Sequence, residues 1–208
     1  MSTAKKKTTA SRRQNRPSPR TRLLNSATKL FDTEGIRVIG IDRILRDADV
    51  AKASLYSLFG SKDALVTAYI EKLDEDFRED WQQRTAELTN VEDKLLAFFD
   101  KAIDDEPKKD FRGSHFLNAA NEYPKPETDS ERQIISACMN HRSWVHDTMT
   151  ALLNEKNGYP SATQASQLLI FLDGGLAGAR LTRSINPLVT ARDLARQMLA
   201  APPADYSI

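Results

Sequence analysis

From Leu23 to Leu199 the apolar residues of this chain recur every three to four positions, and nowhere do they alternate with polar ones. A period near 3.6 lines such residues along one face of a helix, whereas a half-buried strand needs a period of two. The pattern predicts an all-α protein: three short helices at the N-terminal end and a larger helical body behind them. No apolar run approaches the roughly 20 residues that span a bilayer. The basic N-terminus lacks the apolar stretch of a secretory signal. The lone cysteine, Cys138, excludes an intramolecular disulfide and fits a reducing compartment, so a cytoplasmic location is expected.

Helix punctuation divides the chain. Residues 1–17 carry no apolar period and read as a disordered basic tail. Ser18 is placed to cap a first helix with Pro19 at its first position, and Gly35 to end it. Leu23, Leu24, Ala27, Leu30 and Phe31 form its inward stripe. A second helix is expected over 41–48, with Ile41, Ile44, Leu45 and Ala48 inward, and a third over 51–58. Ser61 then begins a long helix from Lys62 to about Ala86. The pairs Thr89/Glu92 and Thr128/Glu131 have capping-box spacing and predict starts near 90 and 129. Between these lie Pro- and charge-rich loops at 104–110 and 122–129, around a helix at about 114–121. The helix from 129 should break at Asn157-Gly158-Tyr159-Pro160, and the last two should cover about 162–182 and 188–200, with Asn186-Pro187 as cap and first-turn proline. The expected domains are therefore the tail, a head at 18–62 and a body at 63–208.

Charge separates head from body. Residues 1–62 hold 14 Lys and Arg against 5 Asp and Glu, and residues 63–208 hold 16 against 24, although the whole chain carries only +1. A basic head on an acidic body suits a polyanionic partner met by the head alone. The tail supplies +6 of that excess, so charge by itself is a partial argument. On a helical wheel Ala51, Leu55, Leu58 and Phe59 share the side expected to pack inward. Lys52, Ala53, Ser54, Tyr56 and Ser57 cover the remaining arc, which offers a cation, hydroxyls and side chains small enough to enter a major groove. Arg20 and Arg43 are candidate phosphate contacts, and Lys62, at a helix start, could hold a phosphate with its ammonium and nearby N–H groups. Taken alone, the same periodicity also fits an ordinary amphipathic turn in a bundle.

The run Arg22–Leu65 resembles the N-terminal domain of the tetracycline-repressor (TetR) family of bacterial transcriptional regulators. The residues that carry the likeness are Ala27, Leu30-Phe31, Gly35, Ile44, Ala48, Val50, Lys52, Leu55-Tyr56, Phe59, Ser61-Lys62 and Ala64-Leu65, without a gap. The resemblance implies a helix-turn-helix DNA-binding domain in which Lys52, Ser54, Tyr56 and Lys62 touch double-stranded DNA. Three positions depart from the pattern: Gly40 replaces a capping Ser or Thr, Asp49 a turn glycine, and Ala51 a Ser or Thr. The resemblance further implies a body that binds a small-molecule effector and forms a homodimer through its last two helices. Phe171, Gly174, Gly175 and Gly178 are the expected dimer contacts; packing within the chain is the alternative use of these glycines.

The effector pocket is expected among the fourth to seventh helices, with Phe98, Phe99, Ala102, Phe116, Asn118, Cys138, His141 and Arg142 as ligand contacts. The resulting expectation is a ligand-responsive repressor on a palindromic operator, without cofactor or metal. Cys138 and His141 are three apart, but no third ligand accompanies them. The alternatives are a redox-responsive regulator that uses Cys138, and an all-helical enzyme or scaffold with a reader-like head, although no nucleophile, base and acid set stands out.

Overall fold

The computed structural model describes residues 16–201, so the expectation for the tail falls almost wholly outside it. Every regular element among these residues is helical: α1 (Pro19–Glu34), α2 (Ile41–Ala48), α3 (Lys52–Phe59), α4 (Lys62–Thr85), α5 (Val91–Asp105), α6 (His115–Glu122), α7 (Asp129–Asn157), α8 (Ala162–Thr182) and α9 (Asn186–Ala200). The chain divides into two compact units between Tyr69 and Ile70. No described helix is long and apolar enough to cross a membrane.

In the first unit, the Ser18 side chain accepts from the Thr21 N–H and Pro19 opens α1. Leu23, Ala27, Leu30 and Phe31 are buried against Ile44, Leu45 and Ala48 of α2 and Leu55 of α3. The α2–α3 turn depends on Asp49, which takes the left-handed conformation (φ 50°, ψ 55°) that its short polar side chain tolerates. Arg22 of α1 donates to the carbonyls of Ala48 and Asp49 at 2.9 and 2.7 Å, which satisfies two acceptors that the end of α2 leaves open. Ser26 Oγ donates to Asp47 at 2.8 Å on the same side. The last turn of this unit is pinned by Tyr69, whose ring meets Phe31 edge-on at 5.4 Å and whose hydroxyl bonds Asp32.

The second unit packs α8 against α9, α7 and α5. Its core is built from Leu95, Phe98 and Phe99 of α5, Val145, Met149 and Leu153 of α7, Leu168 and Leu172 of α8, and Leu188 and Ala195 of α9. The capping box at Thr128/Glu131 forms with both of its hydrogen bonds, and Gly158 ends α7 in the left-handed region. Other boundaries differ from expectation. Asn90, not Thr89, caps α5, because its side-chain oxygen reaches the Glu92 N–H at 2.8 Å. Ile185 rather than Asn186 precedes α9, with Asn186 and Pro187 already inside its first turn. The expected loop at 104–110 is mostly ordered. α5 continues to Asp105, a single 3₁₀ turn follows at Pro107–Lys109, and buried Glu106 closes the segment by accepting the Gly113 N–H at 2.8 Å and pairing with Lys109 at 2.9 Å.

The three α8 glycines have different uses. A Cβ on Gly178 would stand 2.7 Å from Pro187 Cβ, and one on Gly175 3.0 Å from Ala191 and Leu188, so both permit close approach of α9 within the chain. Phe171 also packs on the core. Of the four expected dimer contacts, Phe171, Gly175 and Gly178 thus also take part in intrachain packing, with Phe171 and Gly178 half-buried; Gly174 is open, with nothing within 4 Å of an added Cβ.

Two glycine substitutions should therefore move stability in opposite directions. Gly40 has extended backbone and open space around it, so Gly40→Ser should supply the missing cap and raise unfolding stability by about 0.3–1 kcal/mol. Gly178→Ala should lower it by roughly 1–3 kcal/mol, because overpacking against a rigid proline outweighs the gain in helix propensity. Urea denaturation checks both.

Candidate functional site

α3 is too short to bury much of itself. Among its residues Leu55 is fully buried, Phe59 is half-buried, and the packed face is centred between them. Lys52, Ala53, Tyr56 and Ser57 are exposed as a continuous arc, with Ser54 half-buried at its edge. Leu58 and Ala51 depart from the expected inward side: both are exposed. Leu58 lies about 60° round the wheel from Leu55, away from Phe59. Ala51 is the extended N-cap residue and is not on the wheel at all. The α3 N-terminus has no side-chain cap, so its first N–H groups have no capping side chain.

Cations border this arc. Lys52 Nζ lies 3.6 Å from Asp42, with both side chains largely in solvent, a pairing weak enough to exchange for a phosphate. Arg43 meets Glu34 at 3.1 Å and is exposed. The Arg20 guanidinium sits over the Phe59 ring at 5.2 Å. Lys62 is placed differently from expectation: its ammonium donates to the Ile36 carbonyl at 2.6 Å and lies 6.0 Å from the Phe31 ring centroid. Burial of that carbonyl beside α1 draws the lysine inward, so its charge serves the packing of the head.

The body contains a cavity of about 400 Å³, within the roughly 300–1,000 Å³ typical of small-molecule sites. Phe98 and Ala102 of α5, Phe116 of α6, and Cys138, His141 and Arg142 of α7 line it, as the sequence pattern suggests. Two expected contacts do not reach it. Phe99 points into the core, completely buried, and Asn118 is held by Arg180 and by the Arg112 carbonyl. The fourth helix was expected to border the pocket, and it does so through Leu73, Phe77 and Asp80; the wall from α8, with Leu169, Leu172 and Leu176, was not expected. Their apolar members have the same helical spacing as plain core residues, so only packing distinguishes them.

Charges in the cavity wall are paired. Asp80 and Asp105 share Lys101 at 2.6 and 2.8 Å, Lys109 is held by Glu106, Asp173 by Arg142, and Asp76 by Lys72. Burial opposes ionisation of Asp80 and Asp105, but the hydrogen bonds from Lys101 prevail and hold both carboxyls below the usual carboxylate range. Beside the cavity Trp81 stacks on Phe98 at 5.0 Å and meets Trp144 edge-on at 5.7 Å. His141 is the buried polar group of the wall. Its Nδ1 lies 2.8 Å from Asp74 of α4, and its ring stacks on Phe116 at 3.5 Å with planes 7° apart. Burial pushes its imidazole below the usual histidine value, against the pull of Asp74.

Among the described residues no group of three or more His, Cys, Asp or Glu is arranged to hold a metal ion. A redox role for Cys138 requires an accessible thiolate. The thiol is instead buried, and burial pushes its pKa up to about 11. Iodoacetamide at pH 8 should therefore modify native Cys138 at least about 100-fold more slowly than the urea-unfolded chain, in line with the lost thiolate fraction. Comparable rates would restore the redox alternative.

Known proteins share these features. The family of bacterial regulatory proteins, tetR family, matches residues 23–69. None of the curated proteins compared matches the sequence. Among solved structures, a TetR-family transcriptional regulator from Streptomyces coelicolor is 32% identical, covers 87% of this chain and 94% of its own, and superposes with a TM-score of 0.76. The reduced form of NemR from E. coli shares 22% identity over 89% of this chain and 100% of its own, with a TM-score of 0.75. The regulatory protein TetR from Rhodobacter sphaeroides shares 22% over 85% and 96%, with a TM-score of 0.72. The latter two speak to the fold. With the exposed arc of α3 and the matched head, the Streptomyces relative leads to one conclusion: this chain belongs to the TetR family of DNA-binding transcriptional regulators.

Proposed function

We propose that the protein is a ligand-responsive repressor that binds a roughly palindromic operator as a homodimer and is released by a small molecule. Residues 18–62 would be the DNA-binding domain and 63–208 the regulatory and dimerisation body. The observation that carries the reading is the composition of the cavity wall. Leu73, Phe77 and Asp80 belong to α4, the helix that begins at Lys62 in the head, so one continuous helix contributes to both. A ligand that favours one position of α4 would shift the population of DNA-competent protein in proportion to that preference.

On the DNA side, the exposed arc Lys52, Ala53, Ser54, Tyr56 and Ser57 would enter the groove, with Arg20 and Arg43 on flanking phosphates. A phosphate at Lys62 would have to compete with the Ile36 carbonyl, so that residue is assigned to positioning the head. On the dimer side, the interface is better placed on the opposite face of α8 from Gly175 and Ala179. Ile170, Gly174, Ala177 and Leu181 fall within about 60° of one another on the wheel. All four are exposed, Leu181 at 85% and Ile170 at 62%. An apolar stripe of this kind on an otherwise charged body fits a two-fold contact with a second copy.

Two measurements test the reading. Full-length protein should shift DNA from its own upstream region, with affinity falling as salt rises; Lys52→Ala, which removes one cation from each protomer, should weaken binding and reduce the log–log salt slope by up to about two. No binding at low salt would sink the proposal. Ala177→Glu should put like charges face to face across the two-fold axis and raise the dimer dissociation constant by about 100-fold or more. Sedimentation equilibrium reads this directly, and an unchanged dimer would move the interface elsewhere.

A further inference from the structure

We infer that the cavity is matched to an uncharged aromatic molecule bearing a hydrogen-bond donor, a phenolic O–H or an aryl N–H, seated on Nε2 of His141. The inference rests on the ligand-responsive reading and specifies the chemistry of its site. Three observations carry it.

The first is the state of the wall charges. Each charged side chain named above already has an opposite partner. A ligand with its own charge would have to separate one of these half-buried pairs and leave the remaining member uncompensated, which is the costly outcome. An uncharged ligand leaves them intact.

The second is the shape and polarity of what remains. Phe77, Phe98 and Phe116 supply flat aromatic surface from three different helices. Such rings favour a planar partner through offset or edge contact, beyond the simple burial of area.

The third is a preset acceptor. Asp74 also binds Arg78, at 2.6 Å, and hydrogen bonds from His141 and Arg78 overcome burial to hold its carboxyl below the usual range, so it is an acceptor only. The hydrogen between Asp74 and Nδ1 must then sit on Nδ1. In a neutral imidazole this leaves the lone pair on Nε2. Burial favours that neutral form. Among the described residues Nε2 has no hydrogen-bond partner, yet it is not one of the sealed polar atoms without one. His141 lines the cavity, and its unpartnered nitrogen is not among the sealed polar atoms, so the cavity is where a ligand donor would meet it. The Phe116 stack and the Asp74 bond fix the ring in two directions, so the acceptor is oriented before any ligand arrives.

The test uses the full-length protein and three matched probes: 2-naphthol, its methyl ether 2-methoxynaphthalene, and naphthalene, with 2-naphthoate as the charged comparison. Calorimetry, or emission from Trp81 and Trp144, reads binding. 2-Naphthol should bind about fivefold or more tighter than either donor-less probe, the gain expected from one satisfied hydrogen bond, and 2-naphthoate should bind more weakly than 2-naphthol. His141→Phe keeps an aromatic ring against Phe116 but has no acceptor, and should bring 2-naphthol down to the level of naphthalene. Equal affinities across the neutral probes, tighter binding of 2-naphthoate, no binding at millimolar concentration, or a preference that survives His141→Phe would each overturn the assignment. The wild-type series decides the matter even if the variant does not fold. DNA affinity measured in the same preparations keeps the two readings apart: donor-dependent binding with unchanged DNA affinity supports the assigned chemistry and overturns ligand-responsive regulation.

Discussion

The body of the protein depends on how closely α8 and α9 approach. At Gly178 the two helices come nearer than a Cβ allows, at Gly175 as near as one could barely fit, and Leu188, Ala191 and Ala195 fill the contact. This tightness frees the rest of α8. Leu168 faces the core, Leu169 and Leu172 border both core and cavity, Leu176 lines the cavity, and the remaining side presents Ile170, Gly174, Ala177 and Leu181 to solvent. Two mid-helix glycines cost roughly 1 kcal/mol each relative to alanine. That loss is offset by letting one helix of 21 residues serve several neighbours at once.

A second constraint governs the head. A helix-turn-helix needs its second and third helices at a fixed angle, and here a single left-handed residue, Asp49, makes the turn. Asp is costlier than glycine in that region, and the surroundings compensate. Arg16 pairs with the Asp49 carboxylate, and Arg22 holds the carbonyls on either side of the turn. The Arg16 hydrogen bond lowers the Asp49 carboxyl below its usual range. Arg22 thus contributes to the head from its interior, which explains how a basic residue in this segment can serve geometry rather than DNA. Lys62 likewise makes an internal contact, with its ammonium on the Ile36 carbonyl.

These cases also show how far the sequence could be read. Helix existence, the Ser18 and Thr128 caps and the Gly158 stop were legible because each is local chemistry acting within one turn. The head was legible for the same reason, since its turn, caps and stripe are all short-range. What the sequence left open was which of several equivalent faces meets which neighbour. Gly174 and Gly178 are indistinguishable in sequence, yet one is open and the other lies against Pro187. Phe98 and Phe99 are adjacent and both belong to the core, yet Phe98 also lines the cavity and Phe99 does not. Asp74 carried no signal at all. Its role comes from a partner 67 residues away, His141, and no spacing rule reaches that far.

Under the proposed ligand-responsive reading, that long-range bond ties the cavity wall to α4. A helix of 24 residues extends about 36 Å at 1.5 Å per residue, and it resists bending as long as its internal hydrogen bonds persist. Contact with Leu73 or Phe77 alone would push on the helix only through soft side chains. The His141–Asp74 bond is directional and part-buried, and Asp74 is also tied to Arg78 one turn along. A ligand that draws His141 toward itself must stretch this bond or move α4 with it. Losing a charge-assisted hydrogen bond costs on the order of 1.5–3 kcal/mol. Coupling between sites typically amounts to 1–3 kcal/mol. Under the proposed ligand-responsive reading, the stiffness of this one contact is comparable to a typical coupling energy.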